Sequence, residues 1–413
     1  MKRLHTSLLA AAIVIAPLLV GTIGGAYTGR HAGYAAASDR SHPLPNGSIP
    51  CKPGPWGDLS YTPFSIAAPD DLLPVRSIEA AGTRWFFKGY TTDSFVSLLQ
   101  STSLTPDQQL ALVGASVFTE RADGVELTPT PDMVFSLPKD ARMKLYQILA
   151  QSDENDEEVN FIPMDAIDGW FSANGVSSST AALFRQLCCE RGDYFMFSGI
   201  AAMLSRLSSY DEKLHFTKAL TEQRTLLLRL RLGTGSDVNG LANYWGRGCN
   251  YTDVKTIMKS LSVIPTGTSL SVMMLLPDLP SAELYDYPSG ADNSLDGPAV
   301  NRDCAWSSLN FFNEVPNPSF GTMSGVLKEI SANYLPVPDA PRYGDLVLFA
   351  RPDKYIVHVA VYIADDICFT KNGSTIMHPW MLSTIPEISK QFAFQIDPSQ
   401  KMIIRYFRKK DFM

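Results

Sequence analysis

The pattern of apolar and polar positions changes character three times along the chain. Lys2 and Arg3 precede an apolar run, Leu8 to Val20, and no further Asp, Glu, Lys or Arg occurs until Arg30. That run has the length of a signal-peptide core, about 7–15 residues, and Ala35-Ala36-Ala37 before Ser38 supplies a small-x-small cleavage site. Leu8 to Ala26 also approaches the ~20 residues of a spanning helix. Residues 1–37 are therefore read as a signal peptide or N-terminal membrane anchor. The chain is expected to be exported, whether periplasmic, cell-envelope or secreted, with membrane contact only through this segment. Residues 38–60, rich in Gly, Pro and Ser, read as a linker.

From residue 61 to 280 helical spacing dominates. Thr105-Pro106 is a cap followed by proline at the first helical position. Met143, Leu145, Ile148 and Leu149 recur at helical spacing, and Ser177 to Cys188, Gly199 to Leu207 and Asp211 to Thr221 continue the pattern. Leu228-Arg-Leu-Arg-Leu232 alternates as a strand does, and Gln151 to Glu158 is an acidic, solvated loop. No internal repeat is evident in the residues. Pro280 to Pro298 breaks the pattern. Beyond it two helices, Cys304 to Glu314 and Met323 to Tyr334, precede strands at Asp345–Ala350, Tyr355–Ala364, Ile367–Lys371 and Met402–Phe407. The predicted class is α+β: a mainly α-helical domain over 61–280, then a domain over 281–413 with helices packed on an antiparallel sheet.

Composition narrows the function classes. The 413 residues carry 35 Lys+Arg against 42 Asp+Glu, a net charge of −7. With no basic surplus to neutralise phosphates, nucleic acid is not an expected partner. Six Cys in this length are too few for a disulfide-built fold. Cys51 and Cys249 are nevertheless able to pair in an exported chain.

One constellation carries chemistry. Asp303 is a plausible helix cap, and Cys304 follows in the first turn, where backbone N–H groups favour a thiolate. Asp303 opposes that charge, so a basic partner is needed. His358 sits inside the apolar strand Ile356 to Tyr362, where a buried imidazole wants a polar partner. A Cys–His pair meets both needs, the imidazole taking the thiol proton and passing it to a leaving amine.

These residues resemble a family. Asp303-Cys304 opening a helix, then Gly344-Asp-Leu-Val-Leu-Phe349, then His358-Val-Ala-Val-Tyr-Ile-Ala-Asp-Asp366 are similar to the NlpC-type, papain-like cysteine peptidases of the cell wall. The resemblance covers about residues 300–410. It implies a papain-like fold there, Cys304 as nucleophile, His358 as base, and a peptide or peptidoglycan-like substrate cleaved at an amide bond. The chain departs from the pattern at Ala305-Trp306, at Ala364-Asp365-Asp366, and at the residue that orients the imidazole. Strand alternation puts Cys368, Thr370 and Asn372 on one face and turns Lys371 away. Thr370 is the aligned position and Asn372 the better acceptor, so both remain candidates.

The departures keep two other readings open. One is a non-catalytic envelope binding protein with a degenerate papain-like domain. The other is a lipid-directed thioesterase or acyltransferase of the same superfamily, although relatives similar to lecithin:retinol acyltransferase carry His before Cys. Cys188-Cys189 and His215 are read as structural. His378 is read as a loop or surface residue, with a place as substitute third catalytic group as the alternative. Trp85-Phe86-Phe87 and Tyr244-Trp245 are read as packing aromatics. No Cys/His spacing matches a zinc site and no glycine-rich phosphate loop follows a strand, so neither metal nor cofactor is expected.

Overall fold

The computed structural model describes residues 47–114, 116–155, 158–248, 251–288, 302–338, 340–373, 375, 377–396 and 400–413. The expected signal peptide or anchor, Cys249 and most of the Pro280–Pro298 stretch lie outside them. No helix among the described residues is long and apolar enough to cross a membrane.

The fold is mixed α and β with antiparallel sheets throughout. It opens with strands β1 (Ile49–Pro50) and β2 (Asp58–Ile66). Then come α1 (Val75–Ala81), β3 (Trp85–Lys88), α2 (Thr92–Gln100), α3 (Pro106–Gly114), β4 (Val117–Arg121), β5 (Gly124–Thr128) and α4 (Pro131–Ser136). The next stretch holds α5 (Lys139–Leu149), β6 (Val159–Pro163), α6 (Ile167–Ala173), α7 (Ser178–Leu187), β7 (Cys189–Arg191), β8 (Tyr194–Ser198), α8 (Ile200–Leu204) and α9 (Tyr210–Thr221).

These two stretches repeat one architecture. The order helix–strand–helix–helix–strand–strand occurs from α1 to β5 and again from α5 to β8, with sheet orders β3-β5-β4 and β6-β8-β7. Each repeat opens its third helix on a hydroxyl cap: Thr105 accepts from the Gln108 N–H at 3.2 Å and Ser177 from the Thr180 N–H at 3.1 Å. Each closes its hairpin with two residues ending in Asp, Ala122-Asp123 and Gly192-Asp193, between paired Arg121↔Gly124 and Arg191↔Tyr194. The absence of any repeat in the residues is thus a matter of identity, not architecture. The region expected to be mainly helical also contains two small sheets.

Then follow β9 (Gln223–Leu232), α10 (Val238–Trp245), α11 (Tyr251–Ser262), β10 (Thr268–Ser271) and α12 (Asp278–Glu283). The last part contains α13 (Cys304–Leu309), α14 (Met323–Asn333), β11 (Tyr334–Pro336), β12 (Leu346–Ala350), β13 (Ile356–Ala364), β14 (Ile367–Lys371), β15 (Trp380–Thr384), α15 (Ile385–Gln391) and β16 (Ile403–Lys409). Six strands form one sheet in the order β11-β16-β12-β13-β14-β15. A second sheet, β1-β2-β9-β10, packs beside it, and the Thr225 hydroxyl donates to the Leu382 carbonyl at 3.0 Å.

Two hydrophobic cores result. One gathers residues 68–220 with Tyr287 and Met377. The other joins residues 51–59 and 226–284 to 305–392. The core around α13 therefore draws on residues from both sides of the 280/281 boundary and from the linker segment.

The Gly-Asp-Leu-Val motif is a structural joint. Gly344 adopts a φ of +87°, and a Cβ there would lie 2.2 Å from the Phe312 ring, so only glycine fits. Asp345 is fully buried, takes a bidentate Arg408 at 2.7–3.2 Å and has Arg247 at 3.6 Å. This pins β16 to β12, and the turn just after α10 to the sheet. The β13–β14 turn uses Asp365 at a φ of +54°, a conformation Asp tolerates, which explains a tight hairpin with no glycine in it.

Candidate active site

Cys304 and His358 line one narrow cavity of about 90 Å³. They reach it by different routes. In β12–β13 register His358 stands opposite Phe349, and their rings lie 5.7 Å apart. On the same side Phe392, just after α15, stacks on the imidazole at 4.4 Å. Helix α13 packs on the other face. Its Ser307 hydroxyl accepts from Trp380 Nε1 at 2.8 Å, and Phe311 lies 5.6 Å from Phe369. The two faces communicate because the β13–β14 ladder is paired only from Val361↔Phe369 to Ala364↔Ile367. Below that point the Val359 backbone is free to meet α13. Its carbonyl accepts from the Ser308 hydroxyl at 3.2 Å, and its N–H faces the Cys304 sulfur.

His358 is held by a directional chain. Nε2 lies 2.6 Å from Thr370 Oγ1, and the Thr370 hydroxyl donates to Asn372 Oδ1 at 2.9 Å. With its own hydrogen committed, the Thr370 oxygen accepts from Nε2–H. Asn372 Nδ2 in turn donates to Gln391 Oε1 at 2.6 Å. This arrangement leaves Nδ1 as the unprotonated nitrogen, with no hydrogen-bond partner among the described residues. Thr370 makes the direct contact and Asn372 stands behind it, both fully or nearly buried.

Electrostatics hold the site neutral at rest. Burial pushes the Cys304 thiol well up, and the Asp303 carboxylate beside it pushes further the same way. The α13 helix spans six residues, too short for its start to overcome both. Burial brings His358 down to about 3. Asp303 caps α13 through the Trp306 N–H at 2.9 Å, and burial holds its carboxyl up to about 6.

The other candidate residues fall as follows. His378 lines the same cavity from the β14–β15 loop, with Nδ1 3.0 Å from the Thr375 hydroxyl. A Cβ at Gly373 would lie 2.4 Å from its ring, so glycine makes room for it. Cys368 is fully buried opposite Tyr362 and does not line the cavity. Cys188 and Cys189 are buried where α7 meets β7, and His215 is exposed on α9. Among the described residues no cluster of His, Cys, Asp or Glu is arranged to hold a metal ion.

Sequence reasoning missed two features. Lys371 is completely buried on the α13 side of β14, opposite Trp380 in register and 5.5 Å over its ring. It is turned away from His358, as strand alternation requires, but toward the Cys304 helix. The second feature is the roof. Val159 to Ile162 of β6 and Trp170 of α6 close the cavity. Phe161 stacks on Phe394 at 3.8 Å, and Arg191 donates to the Ile396 carbonyl at 3.4 Å. No local pattern in residues 61–280 signals that role, because it depends on docking two separate cores. No protein-family model, curated protein or solved structure matches the chain.

Proposed function

We propose that the chain is an exported, papain-like cysteine hydrolase that cleaves an amide bond, with peptidoglycan stem peptides as the substrate class. The observation that carries this reading is the single cavity shared by Cys304 and by an imidazole whose Nε2–H is committed to Thr370. His358 Nδ1 takes the Cys304 proton, and the thiolate sulfur bonds to the carbonyl carbon of the substrate. As the tetrahedral intermediate collapses, the C–N bond breaks and the proton passes to the leaving amine. Water then attacks the thioester, His358 takes its proton, and the carboxylate product leaves as the thiol is restored. The backbone N–H groups of Val359 and Ala305 at the sulfur fit a role in stabilising negative charge. The cell-wall substrate rests on the resemblance and on the expected export.

A second reading has its own support. The neutral thiol and the roof over the cavity are what a binding protein with a retired papain-like site would also keep. A fluorescent thiol probe separates the two. Labelling that iodoacetamide blocks and Cys304→Ser removes supports the enzyme. A wild-type Cys304 that takes no probe in the folded protein, while the denatured chain does, supports the binder.

A further inference from the structure

We infer that Gln391 sets which nitrogen of His358 carries the proton: its amide oxygen fixes the orientation of the Asn372 amide, and through Thr370 that orientation leaves Nδ1 free to act as a base. The inference rests on His358 being the base for Cys304 and names Gln391 as a positioning residue, since it acts through two other side chains.

Thr370 Oγ1 carries a single hydrogen, and two neighbours compete for it: His358 Nε2 at 2.6 Å and Asn372 Oδ1 at 2.9 Å. When the hydrogen goes to Asn372, the hydroxyl oxygen accepts from Nε2–H and Nδ1 is unprotonated. With the Asn372 amide reversed, Nδ2 would donate to the Thr370 oxygen and the hydroxyl hydrogen would turn to Nε2. The ring would then carry its proton on Nδ1 and could not take one from Cys304. His358, Thr370 and Asn372 are all buried, so bulk water does not relax this coupling. Burial also brings His358 down to about 3, which leaves the ring neutral near pH 7 and makes its tautomer the open variable.

Two contacts on the far side of Asn372 hold its amide the productive way round. Nδ2 donates to Gln391 Oε1 at 2.6 Å and faces Met381 Sδ at 4.0 Å. Both are acceptors, the thioether a weak one. Reversal would bring Oδ1 against a sulfur that has no hydrogen to give, and Gln391 would have to turn its own amide as well. Met381 is placed there by the β14–β15 register, in which it stands opposite Thr370. Gln391 is placed by α15, of which it is the last residue. That helix is anchored by the fully buried Ile388 and capped by Thr384, which accepts from the Glu387 N–H at 3.3 Å. The next residue, Phe392, stacks on the imidazole at 4.4 Å. The end of α15 thus supplies both the packing of the ring and the acceptor that sets its tautomer.

The test is the tautomer of His358 at neutral pH. It is read by long-range proton–nitrogen NMR correlation in the full-length protein carrying isotope-labelled histidine, with the His358 signals assigned by their loss in His358→Gln. Wild type should show Nε2–H and an unprotonated Nδ1. Gln391→Glu can only accept, so it should keep that tautomer. Gln391→Lys can only donate, so it should reverse Asn372 and move most of His358 to Nδ1–H, with turnover falling about tenfold or more. Gln391→Met offers neither donor nor acceptor and should show both tautomers, which keeps the test open if Gln391→Lys does not fold. A merely structural role for Gln391 would lower stability and leave the tautomer unchanged. An Nε2–H ring alone in a folded Gln391→Lys or Gln391→Met protein overturns the inference, as does an Nδ1–H ring in wild type. The readout needs no substrate, so a protein that turns over nothing yet shows this reversal loses the proposed function and keeps this assignment.

Discussion

Nε2 of His358 lies 2.6 Å from Oγ1 of Thr370, and that hydroxyl, not an amide or a second imidazole, orients the ring. Hydroxyl is a weak orienter alone. Here it is polarised from behind, because its hydrogen is spent on Asn372 and Asn372 is in turn held by Gln391. The sequence left Thr370 and Asn372 as alternatives, and the geometry uses them in series.

Thr370→Val should therefore lower turnover by about 10²–10⁴-fold, by analogy with removal of the third member of a triad. Asn372→Ala should cost less, because Thr370 still meets the ring. Turnover on a stem-peptide substrate, with circular dichroism to check folding, gives both values. Full activity in a folded double variant would place the orienting group elsewhere, with His378 next in line.

The roof should limit access to the thiol. Phe161→Ala removes half of a stack whose ring centroids are 3.8 Å apart, between the second repeat and the segment that covers His358. Iodoacetamide should then label Cys304 faster at fixed pH, without a change in the labelling midpoint. An unchanged rate would show that this stack does not close the cavity.

One fully buried and one half-buried imidazole, His358 and His378, should make the fold acid-sensitive. Burial brings both His358 and His378 from 6.5 down to about 3. A proton then binds the unfolded chain before the native one. Their contribution is complete above pH 6.5 and is lost as pH falls toward 3, at about 1.4 kcal/mol per pH unit for each ring. Asp303, held up to about 6, acts in the opposite sense between its ordinary 3.8 and that value. The comparison is therefore between wild type and His378→Gln in urea titrations from pH 6 to 4. The variant should show the flatter loss, and parallel slopes would refute the assignment.

Asp345 should be costly to remove. Asp345→Ala leaves the buried Arg408 guanidinium without its bidentate partner and should destabilise the fold by about 3–5 kcal/mol in urea denaturation. A loss below about 1 kcal/mol would mean water reaches that guanidinium.

Much of the C-terminal sheet was legible because its strands announce themselves. Ile367–Phe369 and the residues on either side of His358 are apolar runs rich in β-branched and aromatic side chains, and Leu226 to Leu232 shows alternation that burial follows. Strand β15, Trp380–Thr384, was missed. It is short and owes its place to pairing with β14 and contact with Thr225. The duplicated architecture of residues 75–198 was hidden because its two copies share element order and turn chemistry rather than side chains. The burial of Lys371 on the α13 face was hidden for another reason. Alternation tells which face a residue takes, but not that α13 covers one face while His358 uses the other.

The most direct test of the account is product release from peptidoglycan sacculi by wild type, Cys304→Ala and Cys368→Ser under identical conditions. The account predicts that wild type and Cys368→Ser release stem-peptide fragments and that Cys304→Ala releases none. Fragment release by a folded Cys304→Ala protein at the wild-type rate would contradict it.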